Sequence, residues 1–170
     1  MSGHRCKVRP VVAVALCSLF VGLRLGATRS AQAQSAEATR LVETFVTALN
    51  NKDGKLLASL YQDAPRRLCT DLDTLIFNEV SGTQATTVPL TLNQLAKSRA
   101  TLTGPPGMAD HQDGGVIVMF GLTWTFLLAD QTEEQTLRLT IEWRVQRQGE
   151  AYKIVAQKTT DIDDDYVCPG

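Results

Sequence analysis

The clearest pattern in the chain is a two-residue alternation of apolar and polar positions through its last third. Apolar side chains take every second position over 116–128, and residues 137–147 alternate in the same way, which is typical of half-buried strands. The turn at Gln148-Gly149 leads into a third predicted strand over 152–162. The end of the chain therefore predicts an antiparallel sheet with one buried face and one solvated face.

Helical spacing dominates the region before the sheet. Apolar residues recur every three or four positions over 36–50, and Ser35 is the predicted N-cap of this helix. Asp53 follows a turn and is predicted to cap a second helix, which ends at Pro65. Helices first and a sheet afterwards predict an α+β fold, with the N-terminal helices packed on a strongly curved antiparallel sheet.

Residues 66–90 fit more than one structure. Apolar spacing allows a short helix over 72–80, while 74–80 and 85–90 could each form a strand. Both options stay open from the sequence.

Thr91 and Gln94 have the spacing of a capping box. They predict a helix that continues to about Leu102. Residues 104–114 are rich in Gly and Pro and predict a loop.

The first 33 residues have the parts of a cleavable secretory signal. A basic start precedes an apolar stretch over 11–23, and Ala31-Gln32-Ala33 is a small-residue exit, so cleavage is expected after Ala33. The apolar stretch has 13 residues, fewer than the roughly 20 that a membrane-spanning helix needs. We expect an exported protein, periplasmic or extracellular, without a stable membrane anchor after cleavage, and a single domain over 34–170.

Charge is unevenly distributed between leader and domain. The leader holds five of the 17 Lys and Arg residues, whereas all 18 Asp and Glu residues follow it, so the domain has a formal charge of −6. An acidic domain repels phosphate backbones, which argues against nucleic acid as a partner.

Two cysteines remain once Cys6 and Cys17 leave with the leader. In an oxidising compartment Cys69 and Cys168 are predicted to form a disulfide that ties the C-terminus to the domain. The alternative is a buried Cys69 and a free Cys168 in a frayed tail.

The helical segment Phe45–Ala64, FVTALNNKDGKLLASLYQDA, and the strand sequences LTIEWRVQ and YKIVAQ resemble the nuclear transport factor 2-like superfamily. This superfamily includes ketosteroid isomerases, scytalone dehydratase and SnoaL-like polyketide cyclases. The similarity covers most of residues 37–162 and implies a cone-like α+β barrel. Because this fold has many functions, the resemblance leaves the function to be argued from the site.

The isomerases of this superfamily use a tyrosine on the first helix, a carboxylate base after the second helix and a protonated aspartic acid on a late strand. The resemblance puts Phe45 at the tyrosine position and Ile141 at the aspartic acid position. Pro65-Arg66-Arg67-Leu68 stands where the base is expected. We therefore predict no catalytic residue of this type, and no cofactor or metal site.

A concave interior with apolar walls remains as the candidate site. The predicted function is to bind a small hydrophobic ligand there, or to serve as an assembly module, with a homodimer through the sheet face as one form. Both tryptophans are expected to offer an indole N–H to a ligand or water. The candidate lining residues are Phe45, Tyr61, Phe120, Trp124, Phe126, Ile141 and Trp143.

The alternative prediction is an isomerase, dehydratase or cyclase that uses Asp63 or Asp71 with Tyr61. The two predictions differ in one respect, since an enzyme needs an ionisable group directed into the cavity.

Overall fold

The computed structural model describes residues 33–85 and 90–163. Helix α1 occupies residues 33–51, so Ser35 lies inside the helix and is not its N-cap as predicted. Lys52 has a left-handed backbone with φ of 54° and ends α1. Asp53 caps α2, Gly54–Ser59, by accepting a hydrogen bond from the amide of Leu56 at 2.9 Å, as the sequence predicted.

Helix α2 is shorter than predicted and ends at Ser59, well before Pro65. The reason is a tertiary contact, because the chain after α2 pairs with the last strand. Tyr61 forms a parallel bridge with Ile154, whose amide donates to the carbonyl of Leu60 at 2.9 Å. Backbone groups that would have continued the helix are satisfied by the sheet instead.

Helix α3, Asp71–Ser81, decides between the two options for residues 66–90 in favour of a helix over 72–80. Thr70 is its N-cap, and the side chains of Thr70 and Asp73 form a reciprocal capping box. Gly82 ends the helix with φ of 68°. Most of the predicted strand over 85–90 lies outside the described residues.

The helix predicted from Thr91 to Leu102 is wrong. The capping box is present, but it opens a single 3-10 turn, Leu92–Gln94, which leads directly into strand β1, Leu95–Leu102. β1 pairs antiparallel with β3, Val116–Leu128, and this pairing outweighs the local helical signal. The predicted loop over 104–114 also contains a short strand, β2, Gly107–Asp110.

The sheet has five antiparallel strands in the order β1-β3-β4-β5, with β2 also paired to β3. β4 is Gln135–Gln148 and β5 is Ala151–Asp161, so the three strands predicted from alternation are confirmed, with ends shifted by one or two residues for β4 and β5. The register places Phe120 of β3 opposite Ile141 of β4. β5 contains a bulge where it pairs with Arg144 of β4. Helices on a curled antiparallel sheet confirm the predicted α+β cone.

Candidate functional site

The seven apolar side chains predicted to line a hollow are all buried in the described structure. The rings of Phe45 and Phe120 meet the indole of Trp143 edge-on, at centroid distances of 5.0 and 4.6 Å. Trp124 and Phe126 stack on each other at 4.1 Å. These rings are packed core, since aromatic pairs at such distances fill space between helix and sheet. Of the seven, Tyr61 also reaches the surface pocket described below.

Both indole N–H groups have protein partners, where the sequence predicted a ligand or water. Trp124 donates to the hydroxyl of Ser98 at 3.0 Å, and Trp143 donates to the side-chain oxygen of Gln157 at 2.8 Å. The second bond is part of a larger polar network beneath the aromatic core.

Gln157, on β5, is the centre of this network. Its oxygen accepts hydrogen bonds from the hydroxyl of Tyr61 at 2.6 Å and from Trp143. Its nitrogen donates to Asp73 at 2.7 Å and to the hydroxyl of Thr159 at 3.0 Å. The orientation of the amide is determined, because an indole N–H can only donate and a carboxylate can only accept. All four hydrogen-bonding positions of the amide are used.

Asp73 is the buried carboxylate of the network, with a relative exposure of 2%. One oxygen accepts from Gln157 and from Thr159, the latter at 2.6 Å. The other accepts from the backbone amide and the hydroxyl of Thr70, at 3.1 and 3.0 Å. Four accepted bonds and a position in the first turn of α3 replace the water that a buried carboxylate loses.

This network was not predicted from the sequence, although two signals for it are present there. Thr70 and Asp73 have capping-box spacing, and Gln157 and Thr159 are two residues apart on one strand, so their side chains share a face. What the sequence could not show is that the start of α3 lies against this face of β5.

Tyr61 is held as a neutral phenol. Burial raises the pKa of Tyr61 well above its usual value of 10, and the negative charge of Asp73 raises it further, while the hydrogen-bond contact with Trp143 lowers it. The hydroxyl of Tyr61 therefore acts as a hydrogen-bond donor and does not supply a phenolate.

A surface pocket of about 330 Å³ opens beside Tyr61 and Gln157. Its walls come from the chain after α2 and from the facing parts of β4 and β5. The pocket is lined by Tyr61, Asp63, Ala64, Pro65, Arg66, Arg67, Arg144, Val155, Ala156 and Gln157.

Arg144 is placed differently from the sequence expectation. Its alternation with Trp143 predicted a solvated side chain on the open face of the sheet, but the side chain is half-buried and lines the pocket. Its Nε atom is buried and has no hydrogen-bond partner among the described residues.

Asp63 and Asp71, the two carboxylates predicted as alternatives to act with Tyr61, lie in different places. Asp63 lies in the pocket with Tyr61, whereas Asp71, in the first turn of α3, is not among the pocket residues. Burial raises the pKa of Asp71, and the nearby charge of Asp161 raises it further. Phe45 and Ile141, the residues that the resemblance puts at two of the isomerase positions, are both fully buried.

Within the described residues, no three His, Cys, Asp or Glu side chains group as a metal site. Over the same part of the chain, no helix has the length and apolarity to cross a membrane. Cys69 lies before α3, and Cys168 falls outside the described residues, so their pairing stays a prediction.

Comparison with known proteins supports the fold through structure alone. No protein-family profile and no curated protein sequence matches the chain. A nuclear transport factor 2-like superfamily protein from Salmonella enterica serovar Typhimurium is similar, with a TM-score of 0.60, 13% identity, and coverage of 82% of this chain and 99% of that chain.

Two proteins from Novosphingobium aromaticivorans are also similar in structure at low sequence identity. A proposed scytalone dehydratase has a TM-score of 0.61 and 10% identity, covering 84% of this chain and 93% of that chain. A nuclear transport factor 2-like protein with a cystatin-like fold has a TM-score of 0.57 and 12% identity, covering 82% of this chain and 88% of that chain. The chain therefore has the nuclear transport factor 2-like fold.

Proposed function

We propose that this protein is an exported domain that binds a small organic molecule in the pocket beside Tyr61. The observation that carries the proposal is a concave site of about 330 Å³ whose inner side chains are held in place by a buried hydrogen-bond network. This volume lies at the lower end of the range for small-molecule sites.

The inner wall of the pocket is pre-organised. Gln157 uses all four hydrogen-bonding positions of its amide, and the hydroxyl of Tyr61 is bound to it. A wall that does not need to be ordered on binding costs little conformational entropy, which favours recognition of a small ligand.

Export is the second part of the proposal. It rests on the predicted leader, with its basic start, its apolar stretch and its small-residue exit at Ala33. The location of the mature domain is then the periplasm or the exterior of the cell.

Filling the pocket tests the binding function. Ala156 is exposed and lines the pocket, whereas Ala109 on β2 is also exposed but does not line it. A fragment library is screened by NMR against the mature domain, and each binder is repeated on Ala156→Trp and Ala109→Trp. We expect Ala156→Trp to lose binding and Ala109→Trp to keep it. A library without binders, or binders that Ala156→Trp leaves unaffected, would contradict the function.

A second candidate is an enzyme that removes a proton next to a carbonyl group, with Asp63 as base. It is favoured by the presence of Asp63 and Tyr61 in one pocket, and one protein of similar fold is a proposed scytalone dehydratase. Deuterium exchange into cyclohexanone, followed by NMR, tests this activity. An enzyme of this kind gives exchange that Asp63→Asn abolishes and Asp130→Asn preserves, and exchange at the buffer rate in the unmodified protein rejects it.

A homodimer through the sheet face stays a proposal of its own. Arg138 and Glu142 are exposed on that face, where they could pair with a second copy. Sedimentation velocity tests it, and a monomer at all concentrations would contradict it.

A further inference from the structure

The pocket beside Tyr61 concentrates positive charge in an acidic domain. Arg66, Arg67 and Arg144 line it, against the single carboxylate of Asp63. The ion pairs of the structure involve other side chains, so no carboxylate of the described residues is paired with these three guanidinium groups. Three cations around one small cavity repel each other unless an anion lies between them.

Arg144 has a buried hydrogen-bond donor that needs an acceptor. Its Nε is buried and has no hydrogen-bond partner among the described residues. A buried charged donor without a partner is costly, and a native structure usually provides an acceptor for it. Ala156 stands directly across from Arg144 in the pairing of β4 with β5, so no large side chain from that position covers the guanidinium.

The other polar groups of the inner wall are already engaged. Tyr61 donates to Gln157, and Gln157 has no free hydrogen-bonding position. Recognition of an anionic group in the pocket is therefore left to the arginines, and a guanidinium binds a carboxylate through two parallel hydrogen bonds.

Apart from Asp63, the rest of the lining is apolar. Ala64, Pro65 and Val155 offer carbon surface next to the arginines. A ligand that uses both kinds of surface has an anionic group attached to a compact apolar body. The size of the pocket and the acidic charge of the domain both exclude a polyanion such as nucleic acid.

We infer that Arg66, Arg67 and Arg144 form a recognition site for the carboxylate group of a small organic acid. This inference rests on the proposed binding function and names its ligand class. The carboxylate lies between the guanidinium groups, where it gives the buried Nε of Arg144 its acceptor, and the apolar body contacts Ala64, Pro65 and Val155.

Isothermal titration calorimetry at constant ionic strength tests the inference with three probes: octanoate, 1-octanol and inorganic phosphate. They are measured on the unmodified mature domain, on Arg144→Gln, and on the double variant Arg66→Gln/Arg67→Gln. Arg138→Gln is the matched control, because it removes the same charge from the same strand outside the pocket. The exposed double variant keeps the test valid if Arg144→Gln fails to fold.

We expect octanoate to bind at least about tenfold more tightly than 1-octanol, because charge-assisted hydrogen bonds are worth this much or more. The pocket variants should lose that preference, and Arg138→Gln should keep it. Equal binding of 1-octanol and octanoate, unaffected by the arginine variants, would overturn carboxylate recognition while leaving the binding function intact. Phosphate that binds as tightly as octanoate would overturn the organic acid as ligand class. If octanoate and the fragment library both fail to bind, the binding function fails as well.

Discussion

Tyr61 and Asp73 are joined through one amide, that of Gln157, which accepts from the tyrosine hydroxyl at 2.6 Å and donates to the carboxylate at 2.7 Å. The tyrosine belongs to the chain after α2, the aspartate to α3 and the glutamine to β5. One side chain thus connects three separate elements beneath the pocket.

Replacing Gln157 should destabilise the protein strongly. Gln157→Leu leaves the hydroxyl of Tyr61 and the indole of Trp143 without their acceptor and removes one donor from Asp73. We expect the free energy of unfolding to fall by about 3 kcal/mol, since each buried group left unpaired costs roughly 1–3 kcal/mol. Urea denaturation measures it. Gln131→Leu, which breaks an exposed bond to Gln135, is the control and should change stability by less than about 0.5 kcal/mol.

Tyr61 should make the protein sensitive to alkaline conditions. The pKa of Tyr61 is raised in the folded state by burial and then by Asp73, so the unfolded chain ionises first. The resulting stability is complete below the usual tyrosine pKa of about 10 and is lost as the pH rises beyond it. Tyr61→Phe lacks the ionisable group. In urea denaturation, its free energy of unfolding should fall less than that of the unmodified protein between about pH 8 and about pH 11. Equal losses in both proteins would contradict the burial of a neutral phenol.

Asp71 should destabilise the folded protein at neutral pH and not in acid. Its pKa is raised above 3.8 by burial and then by Asp161, so charging it in the folded state is unfavourable. The penalty is absent below the unfolded pKa and grows as the pH rises through the folded value. We expect Asp71→Asn to have a higher urea midpoint than the unmodified protein at neutral pH, with the difference vanishing below about pH 4. A difference between the two urea midpoints that does not change with pH would contradict the raised pKa of Asp71 as its cause.

Gly115 is required by a close approach of two strands. A Cβ atom at this position would lie 2.7 Å from the carbonyl oxygen of Val145, a backbone atom within the paired strand β4. Gly115→Ala should therefore lower the free energy of unfolding by about 2 kcal/mol, as overpacking does. Gly104→Ala is the control, since no atom lies within 4 Å of its added Cβ. Thermal unfolding of both variants that gives equal midpoints would contradict the clash.

The predicted pairing of Cys69 with Cys168 is open to a direct measurement. Mass spectrometry of unreduced peptides from the native protein should find the two cysteines linked. Because a bridge of this span closes a loop of about 100 residues, reduction should cost about 5 kcal/mol of stability in the chain-entropy model. The double variant Cys69→Ser/Cys168→Ser should not respond to the reductant, and two free thiols in the native protein would reject the bridge.

The strands that carry a period of two could be predicted closely from the sequence. β3 was predicted with the bounds that the structure has, because alternation is a local consequence of one buried face. The segment after Thr91 shows the limit of this reasoning. Its capping box is real, yet the following residues pair with β3, which is distant in sequence and invisible to a local pattern.

The sequence by itself determined the fold class and the two faces of the long strands. Each of these depends on the order and spacing of neighbouring residues. Tertiary structure alone decided that Asp73 and Gln157 meet, and that Arg66, Arg67 and Arg144 surround one pocket. Those side chains come from elements far apart in the chain, so their distances are set by how the helices pack on the sheet.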